Sequence, residues 1–508
     1  MMRSPRSEKY TVGLVGAGVM GRGIAQIMAT AGVSVLLFDT RKGAASDASK
    51  FAAKMITRAV EKGSISEGDA SSAIRRILVV DRIEAMNSCD VVIEAVVEDL
   101  EIKKKVFSSL EKCVPADCIL ASNTSSLSVT AIAAELIHPG RFAGFHFFNP
   151  VPLMKLVEVI SGLETSEKTG EILSALAQRV GHEPVNAKDT PGFLVNHAGR
   201  GLYTEGIRIV SEGIARFSEV DDLLREGGPG FRMGPFELMD TTGLDVSHPV
   251  MESIYNQFYQ EPRFRPGTLI RNRLAAGLFG RKTGRGFYRY EDDLKEVTAP
   301  AIVPNDLPKS VWIENRHEGC RSLLVDALSK HVAIDDSKRP SSNSLCIFIP
   351  FGADVTSCAV QAGVEAERSF AIDMLFGLEG RRTLMVSPVT DLTLADQMHA
   401  VLASDGHAVT MINDSPGFVI QRTIAMIANI ACDIAQQRIA SPADIDKAVR
   451  LGLGYPVGPL TMGDQVGPSR LLEILDTMLE FYGDPRYRPS PWLKRRAMLG
   501  ASLLTNER

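Results

Sequence analysis

The sequence has little of what would mark a secreted, membrane-bound or nucleic-acid-binding protein. Its seven cysteines include no Cys-x-x-Cys pair. That scatter fits reduced thiols in a cytoplasmic protein better than a disulfide framework or a zinc site, so no metal is expected. No uninterrupted apolar run approaches the ~18 residues needed to span a bilayer. The first ten residues carry two arginines with no apolar stretch behind them, unlike a secretory signal. Positive charge is not in excess either. With a formal net charge of −5, binding to nucleic acid or a membrane surface would need a strong local basic patch, and none of that scale is present. Neither is expected as a partner. Aromatic residues are only 6%, but 45% hydrophobic and 23% charged residues are ordinary for a globular protein and set aside disorder and fibrous repeats. At 508 residues the chain has room for roughly three domains.

What is present begins with a βαβ pattern. Thr11 to Val15 is short, apolar and β-branched, Ala17 to Ala31 has small and apolar residues at helical spacing, and Val33 to Phe38 is a second buried run. Between strand and helix stands Gly16-Ala-Gly18-Val19-Met20-Gly21. In that context the glycines allow a tight turn and close backbone approach, and the helix N-terminus faces a pyrophosphate. Asp39 ends the second strand. A carboxylate there accepts hydrogen bonds from both ribose hydroxyls and repels a 2′-phosphate, which favours NAD over NADP, with Arg41 and Lys42 beside it working the other way. Strand-like runs at Ile77 to Val80, Val91 to Glu94 and Cys118 to Ala121 alternate with helical stretches, the pattern of a parallel sheet covered on both faces. From Asp189 to about Tyr290 the texture is helical. Residues 291–310, with acids and three prolines, read as a linker. Beyond it Leu345 to Ile349, Ser369 to Phe376 and Thr383 to Val386 look like strands, and from about Gly406 the chain turns helical again.

The helical texture repeats in detail. Asp189-Thr-Pro-Gly-Phe193 returns as Asp414-Ser-Pro-Gly-Phe418, Met233 to Asp240 as Val457 to Asp464, and Glu261-Pro-Arg-Phe-Arg-Pro266 as Asp484-Pro-Arg-Tyr-Arg-Pro489. The second half reads as a shortened copy of the first.

Six stretches in order carry a resemblance to the L-3-hydroxyacyl-CoA dehydrogenases: Gly16 to Ala25, Glu94-Ala-Val-Val-Glu98, Ser122-Asn-Thr-Ser-Ser126, Gly144-Phe-His-Phe-Phe-Asn-Pro150, Lys155-Leu-Val-Glu158 and Asp189 to Asn196. Within that family the chain looks most like the bacterial 3-hydroxybutyryl-CoA or 3-hydroxyadipyl-CoA dehydrogenases of similar length and of the phenylacetate-pathway type. The resemblance implies a doubly wound α/β Rossmann NAD-binding domain at 8–188 and an all-α domain at 189–292. After a linker at 293–310 come a reduced Rossmann-like domain at 311–408 and a second all-α domain at 409–508. It also implies NAD-dependent oxidation of (S)-3-hydroxyacyl-CoA, of short-chain or dicarboxylic type, in fatty-acid or aromatic degradation.

Oxidising a secondary alcohol needs a base for the hydroxyl proton, and a histidine titrating near neutrality suits that task. His146, at the end of an apolar run, is the candidate, against the alternative of a satisfied core histidine. For Glu158, in an apolar setting, the resemblance implies a carboxylate that orients the imidazole; a structural ion pair is the plain alternative. The resemblance further implies that Ser125 and Asn196 hold the substrate oxygen, and that Glu98, Lys103 and Asn149 lie near the nicotinamide end of the cofactor. Ser125 could instead cap a helix, Asn196 could end one, and Lys103 could belong to a solvated face. Lys50, Lys54, Arg58 and Lys62 recur every four residues on one helix, a candidate rail for coenzyme A phosphates or simply a solvated face. Of these, Lys62 and Lys54 are the substrate-binding candidates.

The second half is expected to lack a site. Leu384-Met-Val-Ser-Pro388 stands in for His146 to Pro150, Gln421 for Asn196, and no glycine fingerprint precedes Leu345. Its expected role is to pack on the first helical domain as an intrachain pseudo-dimer, with a homodimer as a further option. A related dehydrogenase of non-CoA hydroxy or sugar acids is a second reading. A catalytically idle binding or structural protein is a third.

Overall fold

Near-continuous apolar strands are what a parallel sheet buried on both faces requires, and the N-terminal part supplies them. The strands are Thr11–Val15 (β1), Ser34–Phe38 (β2), Ile77–Val79 (β3), Val91–Glu94 (β4), Ile119–Ser122 (β5), Phe142–Phe147 (β6), Leu156–Ser161 (β7) and Glu183–Lys188 (β8). The fold is that of a computed structural model describing residues 4, 5, 7, 9–292, 294–296 and 302–507. The eight strands lie in the order β3-β2-β1-β4-β5-β6-β7-β8. All neighbours are parallel except β6 and β7, which run antiparallel. Strand order reverses between β1 and β4, so a crevice opens at their carboxyl ends, the place where such sheets bind ligands. Helix Val19–Thr30 (α1) starts after an extended Gly18 rather than at Ala17. It packs Ile24 and Met28, both fully buried, with Val12, Leu14, Val35 and Leu37 in one core.

The chain forms two compact units, 1–197 with 438–453, and 198–437 with 454–508. The first unit thus takes in a piece of the second half of the sequence. There Lys188 N–H donates to the Ile439 carbonyl at 2.8 Å, and Lys447 Nζ lies 3.5 Å from Glu183 Oε2. Helix Pro442–Leu453 follows.

The second unit has helices and a smaller sheet. Of the predicted linker 293–310, Asp293 and residues 297–301 lie outside the described residues. Tyr290–Glu291 (β9) and Leu294–Lys295 (β10) pair antiparallel within and beside it. The sheet strands are Ser310–Ile313 (β11), Ala333–Asp335 (β12), Ser344–Phe348 (β13), Ser369–Ile372 (β14), Arg382–Val386 (β15) and Val409–Asn413 (β16), in the order β12-β11-β13-β14-β15-β16. β14 and β15 are antiparallel, as β6 and β7 are. Three strands, β11, β12 and β16, add to those expected. The run Ser369 to Phe376 leaves the sheet after Ile372, and the chain past Gly406 forms a strand before it turns helical. β11, helix Glu318–Leu328 and β12 form a βαβ unit whose turn, Glu314 to His317, contains no glycine.

Within this unit helices Arg200–Ser211 and Ile420–Gln436 pack face to face. A Cβ on Gly201 would stand 3.0 Å from the Ile427 Cα, so only glycine permits that approach. Two reciprocal ion pairs flank the contact: Arg208 with Asp484 at 2.7 Å, and Arg263 with Asp433 at 2.5 Å. Arg208 and Asp433 occupy the same position of the two similar helices, and their partners lie in the two similar loops, where Asp484 corresponds to Glu261, two residues before Arg263. The packing is therefore two-fold in character, like that of an isologous dimer.

Candidate active site

The glycine turn builds the first part of the site. Gly16 has φ 105 and its N–H donates to the Phe38 carbonyl. A Cβ there would meet the Ala95 carbonyl oxygen at 2.4 Å, and one on Gly21 the Gly16 carbonyl oxygen at 1.9 Å. At Gly18 a Cβ would meet nothing within 4 Å, so backbone and helix terminus stay open to a ligand. In front lies a cavity of about 690 Å³ lined by Gly16, Gly18, Asp39, Val96, Ile102 and Lys105 among others. Its glycine floor and helix terminus fit a dinucleotide. Val19 and Met20 form the first turn of α1.

Asp39 sits at the end of β2, where Oδ2 accepts from the Ala17 N–H at 2.8 Å. Arg41 grips the same carboxylate through its own N–H, Nε and Nη2 at 2.8, 3.1 and 3.0 Å. Burial works against the charge, but the Arg41 guanidinium and the two backbone N–H groups hold the carboxyl below the usual range. Arg41 itself is mostly exposed.

A second cluster joins β4, β5 and helix Leu100–Cys113. Lys103 is buried, so it is not part of a solvated face: Nζ lies 2.7 Å from Glu94 Oε1 and 3.3 Å from Glu98 Oε2. Glu94, fully buried, also accepts from Ser122 Oγ at 2.7 Å. Glu98 Oε1 accepts from Ser125 N–H at 2.8 Å and from Thr124 Oγ1 at 2.8 Å, with Ser126 N–H at 3.0 Å. Burial opposes the charge on Glu98, yet the Lys103 ammonium and these donors hold its carboxyl below the usual range. The helix that follows is capped by Ser128, not Ser125. Glu94 and Ser122 were legible only as motif residues; an acid in a buried strand is itself the signal that a cation must be near.

The third cluster holds the histidine. His146 on β6 faces Glu158 on β7 directly across the antiparallel ladder, and Nδ1 lies 2.6 Å from Glu158 Oε2. Both side chains are buried. The other carboxylate oxygen, Oε1, accepts from the N–H groups of Leu194 and Val195 at 2.9 and 2.8 Å. Those N–H groups become available because Gly192 and Phe193 turn the chain at φ 75 and 50. Sequence reasoning missed this pair of donors; the Pro-Gly-Phe turn was the available signal. His146 stacks near Phe148 and Phe193, with ring centroids at 4.5 and 5.9 Å. Asn196 is half-buried in the short helix Val195–Ala198, and Asn149 is exposed. Lys54 and Lys62, with Lys50 and Arg58, are exposed on helix Ala44–Glu61 and its C-cap, opposite the buried Ala45, Ala48, Ala52 and Ile56.

The second sheet corrects one expectation. The β7–β8 pair Ser161↔Lys188 matches the β15–β16 pair Val386↔Asn413, each followed by the Asp-x-Pro-Gly-Phe turn. That register makes Thr383 the counterpart of Glu158 and Asp373, across the ladder, the counterpart of His146. Leu384 to Pro388 belong to β15 and the loop after it, so they are not the counterpart. Asp373 Oδ1 accepts from the Gln421 amide at 3.0 Å and from Leu375 N–H at 3.0 Å. There is no imidazole in that arrangement.

Burial pushes the Asp373 carboxyl up to about 6, although the Leu375 N–H and Gln421 favour its charged form. A carboxyl raised on folding binds its proton more tightly in the folded state. Its stabilisation is full below the unfolded value near 3.8 and is lost as pH rises through about 6. Between pH 5 and pH 8 wild type should therefore lose about 1.5 kcal/mol more unfolding free energy than Asp373→Asn. Urea unfolding of both proteins at the two pH values measures this, and parallel losses would contradict it.

Fold and site together define an oxidoreductase of the doubly wound, dinucleotide-binding class. The family description "3-hydroxyacyl-CoA dehydrogenase, NAD binding domain" matches residues 11–190, and "3-hydroxyacyl-CoA dehydrogenase, C-terminal domain" matches 192–290 and again 417–503. The 3-hydroxyadipyl-CoA dehydrogenase of Escherichia coli (strain K12) is 36% identical over 96% of this chain and 98% of its own length. A probable 3-hydroxybutyryl-CoA dehydrogenase of Bacillus subtilis (strain 168) is 42% identical over 55% of this chain and 96% of its own. The crystal structure of a 3-hydroxybutyryl-CoA dehydrogenase from Escherichia coli K12 superposes with a TM-score of 0.85 at 35% identity, covering 97% of this chain and 98% of that one. The chain belongs to the 3-hydroxyacyl-CoA dehydrogenase family and is an NAD-dependent oxidoreductase acting on the CH–OH group of 3-hydroxyacyl-CoA.

Proposed function

We propose that His146 is the general base of this reaction and that the favoured substrates are short-chain or dicarboxylic (S)-3-hydroxyacyl-CoA thioesters. The observation that carries the assignment is the buried 2.6 Å contact of His146 Nδ1 with a carboxylate itself fixed by two backbone N–H groups. With Nδ1–H donated to Glu158, Nε2 presents the lone pair that takes the proton of the C3 hydroxyl, and Glu158 stabilises the imidazolium that results. NAD, when bound, supplies the acceptor for the hydride leaving C3. Ser125 and Asn196 hold the oxygen as it becomes a carbonyl. Glu98, Lys103 and Asn149 serve the nicotinamide end, and the glycine turn with Asp39 the adenosine end. Lys54 and Lys62 draw the coenzyme A phosphates to a protein of net negative charge.

The substrate class is supported by the names that the full-length curated relative and the full-length solved structure carry, 3-hydroxyadipyl-CoA and 3-hydroxybutyryl-CoA dehydrogenase, both from Escherichia coli K12. A place in fatty-acid or phenylacetate degradation and a cytoplasmic location belong to the same reading; the scatter of the cysteines without a Cys-x-x-Cys pair supports the location. The test is NADH formation with 3-hydroxybutyryl-CoA, longer straight-chain homologues and 3-hydroxyadipyl-CoA. kcat/KM should be highest for the first or last and at least about tenfold lower for long chains. Equal rates across chain lengths would remove the substrate class; no turnover on any thioester would remove the whole reading.

The second half is, in this reading, a shortened internal copy without an active site, whose work is assembly. The double match of the C-terminal-domain description and the two-fold packing of helices Arg200–Ser211 and Ile420–Gln436 support it.

A further inference from the structure

Helix Pro442–Leu453 comes from the half without an active site, yet it belongs to the unit that holds His146 and Glu158. It is fastened to β8 by Asn186 N–H to Asp444 Oδ2 at 3.5 Å, besides the Lys188–Ile439 hydrogen bond and the Lys447–Glu183 ion pair. Its inner face is Ile445, Ala448, Val449 and Gly452, one helical stripe at i, i+3, i+4 and i+7. The stripe ends against the site. A Cβ on Gly452 would stand 2.9 and 3.0 Å from the two methyls of Val195 and 3.0 Å from Leu156 Cδ2. Val195 donates one of the two N–H groups that hold Glu158. Leu156 lies on the same face of β7 as Glu158, two residues before it. Gly452 is helical, so its lack of a side chain answers to this close approach and not to a left-handed backbone.

We infer that this helix is a brace for the catalytic carboxylate: Gly452 supports Val195 and Leu156, which fix Glu158 and through it the His146 imidazole. Gly452 is thus a positioning residue, and the inference rests on the assignment of His146 and Glu158 proposed above. The corresponding glycine of the first half, Gly227, is also a close-approach position, where a Cβ would meet the Arg381 carbonyl oxygen at 2.3 Å. The sheet it approaches carries Asp373 and Thr383 instead of the histidine pair. The brace is therefore present in both halves, and only the one donated by the second half acts on a site that can do chemistry.

The test uses the full-length enzyme with Gly452→Val and Gly452→Ala. A shift of about 1 Å at a catalytic group can cost about 10²-fold in rate, so Gly452→Val should lower kcat at least about tenfold. KM for NAD and the NADH dissociation constant should stay within about twofold, because β1, β2 and the glycine turn are untouched; a merely structural defect would move both. If the valine variant does not fold, Gly452→Ala decides. Alanine adds a single methyl and is the better helix former, so overpacking and propensity largely offset and the variant should fold with at most a small loss of Tm, while kcat should drop about threefold as Val195 and Leu156 give way. A folded Gly452→Val with wild-type kcat, an alanine variant with wild-type kcat, or losses of kcat and NADH affinity in equal measure would overturn the brace. His146→Gln measured alongside separates the two assignments: wild-type kcat there would mean that the base assignment has failed, whatever Gly452 does.

Discussion

Replacing His146 with glutamine is expected to lower kcat by roughly 10²- to 10⁴-fold, the usual contribution of a positioned general base. Glutamine keeps much of the volume and can still hydrogen-bond Glu158, so the buried carboxylate retains a partner and the sheet should hold. What it cannot do is accept a proton from an alcohol at neutral pH. The nucleotide cradle is built from β1, β2 and the turn Gly16 to Gly21, with the pocket wall around Asp39. The NADH dissociation constant should accordingly stay within about twofold, since no group of the cradle is altered. Initial rates at saturating 3-hydroxybutyryl-CoA and a fluorescence titration with NADH read the two quantities. A variant with unchanged kcat would remove His146 from its role, and one that lost NADH binding in step with kcat would show that the substitution had damaged the fold.

Much of the fold was legible because its signals are local. Gly16 to Gly21 sits between a β-branched strand and a helix, and β1 to β5 are short apolar runs with turns between them. His146 closes an apolar run in the sequence, and that run is β6, with His146 near its end and opposite Glu158 on β7. Four things were not legible, each for a physical reason. For Lys103 a solvated face stayed open as the alternative because it stands in a run of three lysines, but its partners Glu94 and Glu98 lie on a strand end and a loop, outside the i+3 and i+4 positions that a helix pattern shows. The counterpart of His146 was displaced because only ten residues separate Asp373 from Thr383 where twelve separate His146 from Glu158, so aligning the Pro motifs chose the wrong strand. β11 and β12, of four and three residues, are too short for a periodicity to declare itself. The membership of helix Pro442–Leu453 in the first unit depends on contacts more than 240 residues apart in sequence, such as Lys188 with Ile439, and no local pattern carries that.

Truncating Arg422 to alanine is expected to cost about 3–5 kcal/mol, the range for removing one member of a buried ion pair. Arg422 and Glu205 are both fully buried, with Arg422 Nη2 2.8 Å from Glu205 Oε1. The guanidinium also reaches Glu212, Ser415, Tyr482 and Tyr487, each at 3.0 Å. Glu205 is held below the usual carboxyl range against its burial by Arg486 and Arg422, with Tyr487 donating to it as well. Glu205 and Glu212 come from the first half of the chain and the others from the second. By the repeat register the counterpart of Glu205 is Ile430 and that of Arg422 is His197. A symmetric pair of identical chains would carry both positions twice, whereas two halves of one chain can diverge and carry this fully buried pair once. That pair selects the partner half as well as holding it, since no second copy of either residue exists to satisfy a wrong arrangement. Unfolding by urea of Arg422→Ala, Glu205→Gln and the double variant should show a coupling of at least about 1 kcal/mol, because residues of one network do not add. Arg422→Ala should also expose the apolar faces of helices Arg200–Ser211 and Ile420–Gln436 and bring concentration-dependent association, visible in sedimentation. A cost under about 1 kcal/mol, with additive single variants, would mean that apolar packing alone joins the two halves.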